Sequence, residues 1–188
     1  MSYNRFTQPR AYVDLITFDL ATGWRSLSDI SMLQDDGSTA VTFQEGSKSD
    51  IFDARPQNVT RIEKENQSFY IQYNTGNATD ALAESNFLAI MNHNFASADA
   101  VIVVQTDDAS NFTSPTTVST TGDHTKVVNA AANDSAGEID PAEDGWTLIT
   151  WPTQESNNQY LRITITDENG TGQNFLKDPR IGSIMFGE

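Results

Sequence analysis

The sequence of 188 residues predicts an all-β protein, an antiparallel β-sandwich of the jelly-roll type. Apolar residues recur at every second position in short runs, and clusters of Gly, Asn, Asp, Ser and Thr separate the runs. Neither heptads nor long helical patterns occur between them. An immunoglobulin-type sandwich needs only about 100 residues, so the length favours a larger jelly roll.

The strand pattern is clearest in the second half of the chain. Segment 160–166 alternates cleanly, with Leu161, Ile163 and Ile165 on one side. Segments 87–91 and 100–105 are almost continuously apolar, which is typical of strands buried on both faces. The other predicted strands are 11–18, 68–73, 146–151 and 181–186. One helical turn is predicted at 80–84, and segment 119–143 is predicted to be mostly loop.

Two regions are predicted along the chain. Residues 1–28 form an N-terminal extended segment, either an arm that packs on a neighbouring subunit or a first strand of the same sheet. Its aromatic residues are the reason for the arm hypothesis: they are Phe6, Tyr12, Phe18 and Trp24. Residues 29–188 form the jelly-roll domain.

Charge excludes two classes of partner. Eleven Lys and Arg against 26 Asp and Glu give a net charge of −15, and the basic residues are scattered singly along the chain. Nucleic-acid binding and adsorption to an anionic membrane both require clustered basic residues, so neither is predicted. No apolar run reaches membrane-spanning length, and the first residues lack the apolar block of a secretory signal. We therefore expect synthesis in a cytosol.

The sequence contains no recognisable catalytic motif. Cysteine is absent, and the two histidines, His93 and His124, have no neighbouring metal-ligand partners. Phosphate-binding loops, dinucleotide fingerprints and Gly-x-Ser-x-Gly elbows are also missing. Acid pairs are plentiful, but most lie in turns, where solvated carboxylates are the usual outcome. No catalytic residue, cofactor or metal site is therefore predicted. Calcium at Asp35-Asp36-Gly37 or at 167–170 is kept as a weak alternative.

Three tryptophans allow two interpretations. Trp24, Trp146 and Trp151 are either core anchors of the sandwich or a platform on which sugar rings stack. Large aromatic residues in sandwiches more often fill the core, so we predict core positions for all three.

One ordered set of motifs stands above the background. An apolar strand ends in His93-Asn94, a link of small residues follows, and a valine-rich strand begins at Ala100. Later come the motifs that begin at Tyr160-Leu161-Arg162 and, near the end, Ile181-Gly182-Ser183-Ile184-Met185-Phe186-Gly187. In this order they resemble the galactose-binding-like jelly rolls, related to discoidin or coagulation-factor C-type domains, in structural proteins of tailed bacteriophages. Asp99 departs from the pattern, because glycine is commoner there.

The residues of this resemblance are expected to have structural roles. His93 and Asn94 would cap a strand end. Arg162, next to Tyr160 in its motif, would join the solvent face to a loop carboxylate. Gly182 and Gly187 would permit a close approach of two backbone segments.

The resemblance implies a non-enzymatic virion protein of a tailed phage, a capsid decoration or a tail or fibre module. Its partners would be other virion proteins and further copies of the chain in the particle. A carbohydrate-binding module for host glycans is the alternative, and it predicts an exposed aromatic residue with convergent polar side chains at one end of the sandwich. A glycan depolymerase is third and predicts two acids facing each other across a cleft. The sequence does not distinguish head, neck, tail and fibre.

Overall fold

The architecture is two packed antiparallel sheets with a small third sheet at one end. A computed structural model describes residues 12–76, 85–120, 125–132, 134–152, 159–169 and 172–187. Phe6, His124 and the helical turn predicted at 80–84 lie outside the described residues. In chain order the strands are β1 Ile30–Gln34, β2 Phe43–Glu45, β3 Thr60–Ile62, β4 Ser68–Asn74, β5 Phe87–His93, β6 Ala100–Asp107, β7 Thr116–Thr117, β8 Lys126–Val128, β9 Gly145–Thr150, β10 Tyr160–Asp167, β11 Arg180–Ile181 and β12 Ser183–Gly187.

The strand order shows how the chain crosses between layers. One sheet has the order β1-β4-β10-β6-β7, and the facing sheet has the order β12-β5-β9-β8. The third sheet, β11-β3-β2, is separate from both. Every pairing between these strands is antiparallel. The predicted all-β sandwich is therefore confirmed.

Alternation along the strands builds the core between the two large sheets. Leu161, Ile163 and Ile165 of β10 are buried, and Leu88 and Ile90 of β5 are fully buried in the same core cluster. Burying each such aliphatic side chain stabilises the fold by about 1.5–3 kcal/mol. The sandwich thus rests on the residues that the period-two pattern selects.

The N-terminal region contains a helix where the sequence predicts a strand. The helix α1 covers Leu15–Thr22, so the strand predicted for 11–18 is wrong. The carboxylate of Asp14 accepts a hydrogen bond from the Thr17 backbone N–H at 3.3 Å, and Gly23 ends the helix with φ of 79°. These are ordinary start and stop signals of a helix. The boundary at residue 28 stays a prediction.

A buried polar contact fixes α1 to the larger sheet. The Tyr73 hydroxyl donates a hydrogen bond of 2.9 Å to the Asp19 carboxylate, and both side chains are buried. Burial raises the pKa of Tyr73 well above its ordinary value, and the hydrogen bond to Asp19 raises it further. The pair holds the helix across the end of the sandwich where β4 stops, because an unpaired buried carboxylate is costly.

Two further helices are short. α2 covers Lys48–Ile51 and α3 covers Phe95–Ala98, between β5 and β6. Asp99 ends α3 in the left-handed conformation, with φ of 60°. Glycine adopts this conformation at little cost, which is a physical reason for glycine to be commoner at that position. Among the described residues, no helix is long and apolar enough to cross a membrane.

Candidate functional site

The end of β5 carries a buried histidine with both ring nitrogens in use. The Phe95 backbone N–H donates to His93 Nδ1 at 3.2 Å, so Nε2 carries the proton and donates to the Thr147 hydroxyl at 2.9 Å. The ring also stacks on Phe95 at 4.7 Å between centroids. Burial lowers the pKa of His93 to about 4, against an opposing contribution from Asp144 and together with the positive charge of Arg180. The imidazole is therefore a neutral structural group near pH 7.

Asn94 joins the end of β5 to the segment before β11. Its Nδ2 donates to the Asp178 carbonyl at 3.0 Å, and its Oδ1 accepts from the Arg180 backbone N–H at 2.6 Å. Both backbone groups thus gain partners from one side chain. Asn94 therefore fixes the position of Arg180 at this end of the sandwich.

Gly182 and Gly187 lie where another backbone segment comes too close for a side chain. A Cβ atom on Gly182 would collide with the Pro56 carbonyl oxygen and lie 2.8 Å from Asn92 Cβ. A Cβ atom on Gly187 would collide with the Val13 carbonyl oxygen. The structure shows a close backbone approach at both glycines.

A groove opens on the third sheet, beside the end of β5. Its volume is about 360 Å³. Seven residues line it: Glu45, Val59, Arg61, Asn94, Lys177, Asp178 and Arg180. We call this feature the groove. Its size lies in the range of small-molecule sites in proteins.

Charged side chains stand in register along the groove. On the third sheet, Arg61 pairs with Arg180 on one side and with Glu45 on the other. The Asp178 carboxylate lies 3.7 Å from Arg61 Nε through Oδ2, while its Oδ1 accepts the Lys64 backbone N–H at 3.1 Å. The groove therefore presents guanidinium donors and carboxylate acceptors together.

The loop before β9 lies close to Lys177. Asp144 accepts hydrogen bonds from the Ser97 backbone N–H at 2.9 Å and from the Ser97 hydroxyl. Burial acts to raise the pKa of Asp144, but the two hydrogen bonds outweigh it, and the charges of His93 and Lys177 also act to lower the pKa. Asp144 is therefore ionised near neutral pH and contributes negative charge beside Lys177.

Arg162 has a different partner from the one predicted. Its Nε and Nη2 donate to Gln72 Oε1 at 3.1 and 2.7 Å, rather than to a loop carboxylate. The guanidinium also lies between two rings, 4.1 Å from the centroid of Tyr70 and 3.8 Å from that of Phe112. Burial lowers the pKa of Arg162, whereas its charged neighbours act to raise it. Arg162 thus attaches the loop of Phe112 to the sheet through cation–π contacts.

The six predicted motif residues divide between two ends of the sandwich. His93, Asn94 and Gly182 lie together beside the groove, where β5 ends and β11 begins. Tyr160 begins β10 at the other end, where its hydroxyl accepts a hydrogen bond from Gln159 Nε2 at 3.3 Å. Gly187 ends β12, also away from the groove. The motifs therefore mark how the groove is supported, and they do not include its charged residues.

The tryptophans do not all lie in the core. Trp151 is 2% exposed and donates from Nε1 to the Ser85 carbonyl, as a core anchor should. Trp24 is 72% exposed, with its ring edge-on to Phe18 at 5.7 Å, and Trp146 is 41% exposed. The core prediction is wrong for these two, because Trp24 follows the end of α1 and Trp146 points away from the facing sheet.

The turn acids are occupied by their own loops. Asp36 accepts from the hydroxyl and backbone N–H of Thr39 and the N–H of Ser38, which lowers the pKa of Asp36 to about 2. Asp167 accepts from the backbone N–H of Asn169 at 2.9 Å. Within the described ranges, no group of three or more acids and histidines is arranged to hold a metal ion. Calcium at these turns stays a weak alternative.

Comparisons with known proteins bear on the fold. No protein-family model and no curated protein sequence matches the chain. A solved carbohydrate-binding module of family 32 produced by Clostridium perfringens, in complex with GlcNAc-α-1,4-galactose, is similar, with 14% identity and a TM-score of 0.50, over 97% of this chain and 99% of that one.

A second similar structure is chitosan-binding module 1 of a chitosanase/glucanase from Paenibacillus sp. IK-5. It has 15% identity and a TM-score of 0.49, covering 79% of this chain and 94% of that chain. The similarity to the family 32 module supports a jelly-roll fold for this chain. At these identities the similarity extends to the fold alone.

Proposed function

We propose that the protein is a non-catalytic carbohydrate-binding module and that the groove is its sugar site. The observation that carries the proposal is the groove itself, where guanidinium, carboxylate and amide groups converge at one end of a sandwich of this fold. Convergent polar groups of this kind are what the carbohydrate hypothesis requires. The virion role stays a prediction that the comparisons do not address.

The chemistry of the groove suits sugar hydroxyls. Each hydroxyl donates one hydrogen bond and accepts others, so a site needs donors and acceptors side by side. Arg61 and Arg180 supply donors, and Glu45 supplies an exposed acceptor. Trp146, exposed at the start of β9 and therefore at the same end of the sandwich, offers an aromatic face. Charged groups make the stronger hydrogen bonds in such sites.

The groove acids do not have the surroundings of a glycosidase pair. A general acid needs a partly apolar pocket that keeps its carboxyl protonated. Glu45 is exposed, and Asp178 accepts a backbone N–H and faces Arg61. Neither acid therefore lies in an apolar pocket. We therefore propose binding without hydrolysis.

Binding to glycans is expected to depend on the groove and not on the exposed aromatic pair, Phe18 and Trp24, at the other end of the sandwich. On a glycan array and in affinity electrophoresis, Glu45→Ala and Val59→Trp should each weaken binding at least tenfold, by removing an acceptor and by filling the groove. Trp24→Ala is the matched control and should bind like the parent chain. Unchanged melting temperatures would show that the variants fold. Loss of binding in Trp24→Ala, with the groove variants unaffected, would place the site elsewhere.

A virion role is the second candidate, and one observation favours it. Phe18 and Trp24 form an exposed ring pair within the segment predicted as an interaction arm. Exposed aromatic residues are enriched where proteins associate. We propose on this basis that copies of the chain associate through this pair in a particle. Light scattering should then show association of the parent chain that Trp24→Ala abolishes; a parent chain that stays monomeric at high concentration would count against it.

A further inference from the structure

We propose that the groove selects acidic sugars, and that Arg61, Arg180 and Lys177 bind the carboxylate or sulfate of the glycan. This inference rests on the proposed function, since it names the class of sugar that the same groove takes.

Positive charge is concentrated in the groove of a strongly acidic protein. The chain has 11 basic residues and a net charge of −15, yet three basic side chains line this one cavity against two acids, Glu45 and Asp178, a formal net charge of +1. At physiological ionic strength the Debye length is about 8 Å, so a ligand in the groove responds mainly to the charges beside it. With Asp144 also acting on Lys177, an anion in the groove is expected to bind beside Arg61 and Arg180, where the surface is less negative than the chain as a whole.

The two arginines lie on paired strands, and the acids Glu45 and Asp178 both stand beside Arg61. Arg180 is the direct partner of Arg61 across β11 and β3, and like charges on paired residues destabilise a sheet. Asp178 lies 3.7 Å from Arg61 and is shared with the Lys64 backbone N–H. Among the described residues, no carboxylate lies within ion-pairing distance of the Arg180 or Lys177 side chain. A bound oxyanion would supply the missing negative charge.

The guanidinium of Arg180 starts from a fixed backbone. Asn94 holds the Arg180 N–H at 2.6 Å, and Gly182 is fixed against Met91 by a backbone hydrogen bond of 3.0 Å. Less freedom is then lost when the arginine binds a ligand. Arginine forks bind carboxylates and sulfate-like oxyanions with two parallel hydrogen bonds. Arg61 and Arg180, paired on adjacent strands, can therefore approach one oxyanion of a sugar together.

Calorimetric titration with three glycans tests the inference. Polygalacturonate carries carboxylates, chondroitin sulfate carries sulfates as well, and a neutral galactan carries neither. We expect at least tenfold tighter binding of an acidic glycan than of the galactan. The double variant R61Q/R180Q should bind the acidic glycan with an affinity at least tenfold lower than that of the parent chain. Arg55→Gln, which removes an exposed arginine outside the groove lining, should change affinity less than twofold.

The outcomes separate this inference from the proposed function. Preference for polygalacturonate or for the sulfated glycan supports acidic selection and identifies the anion. The galactan could instead bind as tightly as the acidic glycans, with binding lost in Val59→Trp but unchanged in R61Q/R180Q. That result overturns acidic selection, and the groove remains a sugar site. If Arg55→Gln lowers the affinity for the acidic glycan as much as R61Q/R180Q does, the attraction comes from diffuse charge. That result also overturns acidic selection by the groove. Binding to no glycan, across these three and the array, overturns both proposals.

Discussion

Acidification from pH 7 to pH 5 is expected to lower the free energy of unfolding by about 2 kcal/mol through His93 alone. The pKa of His93 is about 4 in the folded chain, against 6.5 for an ordinary histidine. At pH values between 4 and 6.5, the histidine is mostly protonated in the unfolded chain and mostly neutral in the folded chain. The stability contribution is therefore complete above pH 6.5 and is lost as the pH falls towards 4, by about 3 kcal/mol in total.

Denaturant unfolding at pH 5, 6 and 7 measures this effect. His93→Asn keeps an acceptor for the Phe95 N–H and removes the titrating group, so its unfolding free energy should vary little between pH 5 and pH 7. If the unfolding free energy falls equally between pH 7 and pH 5 in the parent chain and in His93→Asn, His93 is not the source of the pH dependence. If the variant does not fold, the ring resonances of the parent chain give the pKa directly, because His124 is the one other histidine and can be assigned by replacement.

Gly182→Ala is expected to destabilise the fold by roughly 3 kcal/mol, because a methyl group forced against packed backbone costs about 1–3 kcal/mol and the shift also disturbs a ladder contact. The added Cβ would meet the Pro56 carbonyl oxygen, and a backbone atom cannot move aside as a side-chain tip can. The Gly182 N–H is also bonded to the Met91 carbonyl at 3.0 Å. Relief of the clash therefore separates β11 from the end of β5.

Thermal and denaturant unfolding of Gly182→Ala measure this loss. Gly23→Ala is the control, since Gly23 has φ of 79° but nothing within 4 Å of an added Cβ. It should cost about 1 kcal/mol, the ordinary penalty for a left-handed alanine. Equal losses in the two variants would show that the Pro56 contact does not determine the cost at Gly182. Weaker glycan binding by Gly182→Ala at a temperature where it is folded would link this contact to the groove.

The strands could be predicted from the sequence because their signal is local. Alternation over a few residues identifies β4, β9 and β10, and nearly continuous apolar runs identify β5 and β6. The helix α1 was missed for a physical reason as well. Its residues also alternate in polarity, and only the flanking signals, Asp14 before the helix and Gly23 after it, distinguish the two structures.

The groove could not be predicted, because its charged residues come together only through tertiary structure. Arg61 and Arg180 are far apart in the chain and meet through the pairing of β3 with β11. Each is a single basic residue in an acidic surrounding, which carries no motif. The motif around His93 and Asn94 did locate the supporting structure. It did not reveal the cations that this structure holds in place.

The pairing of residue 14 with residue 187 has an architectural consequence. Asp14 and Gly187 form an antiparallel bridge, so the described chain enters and leaves the sandwich at one pole. The groove lies at the other pole, where β5 ends and β11 begins. Chain segments that lead away from Asp14 and Gly187 therefore leave from the pole opposite the groove, so the groove is not obstructed by the points where the described chain enters and leaves.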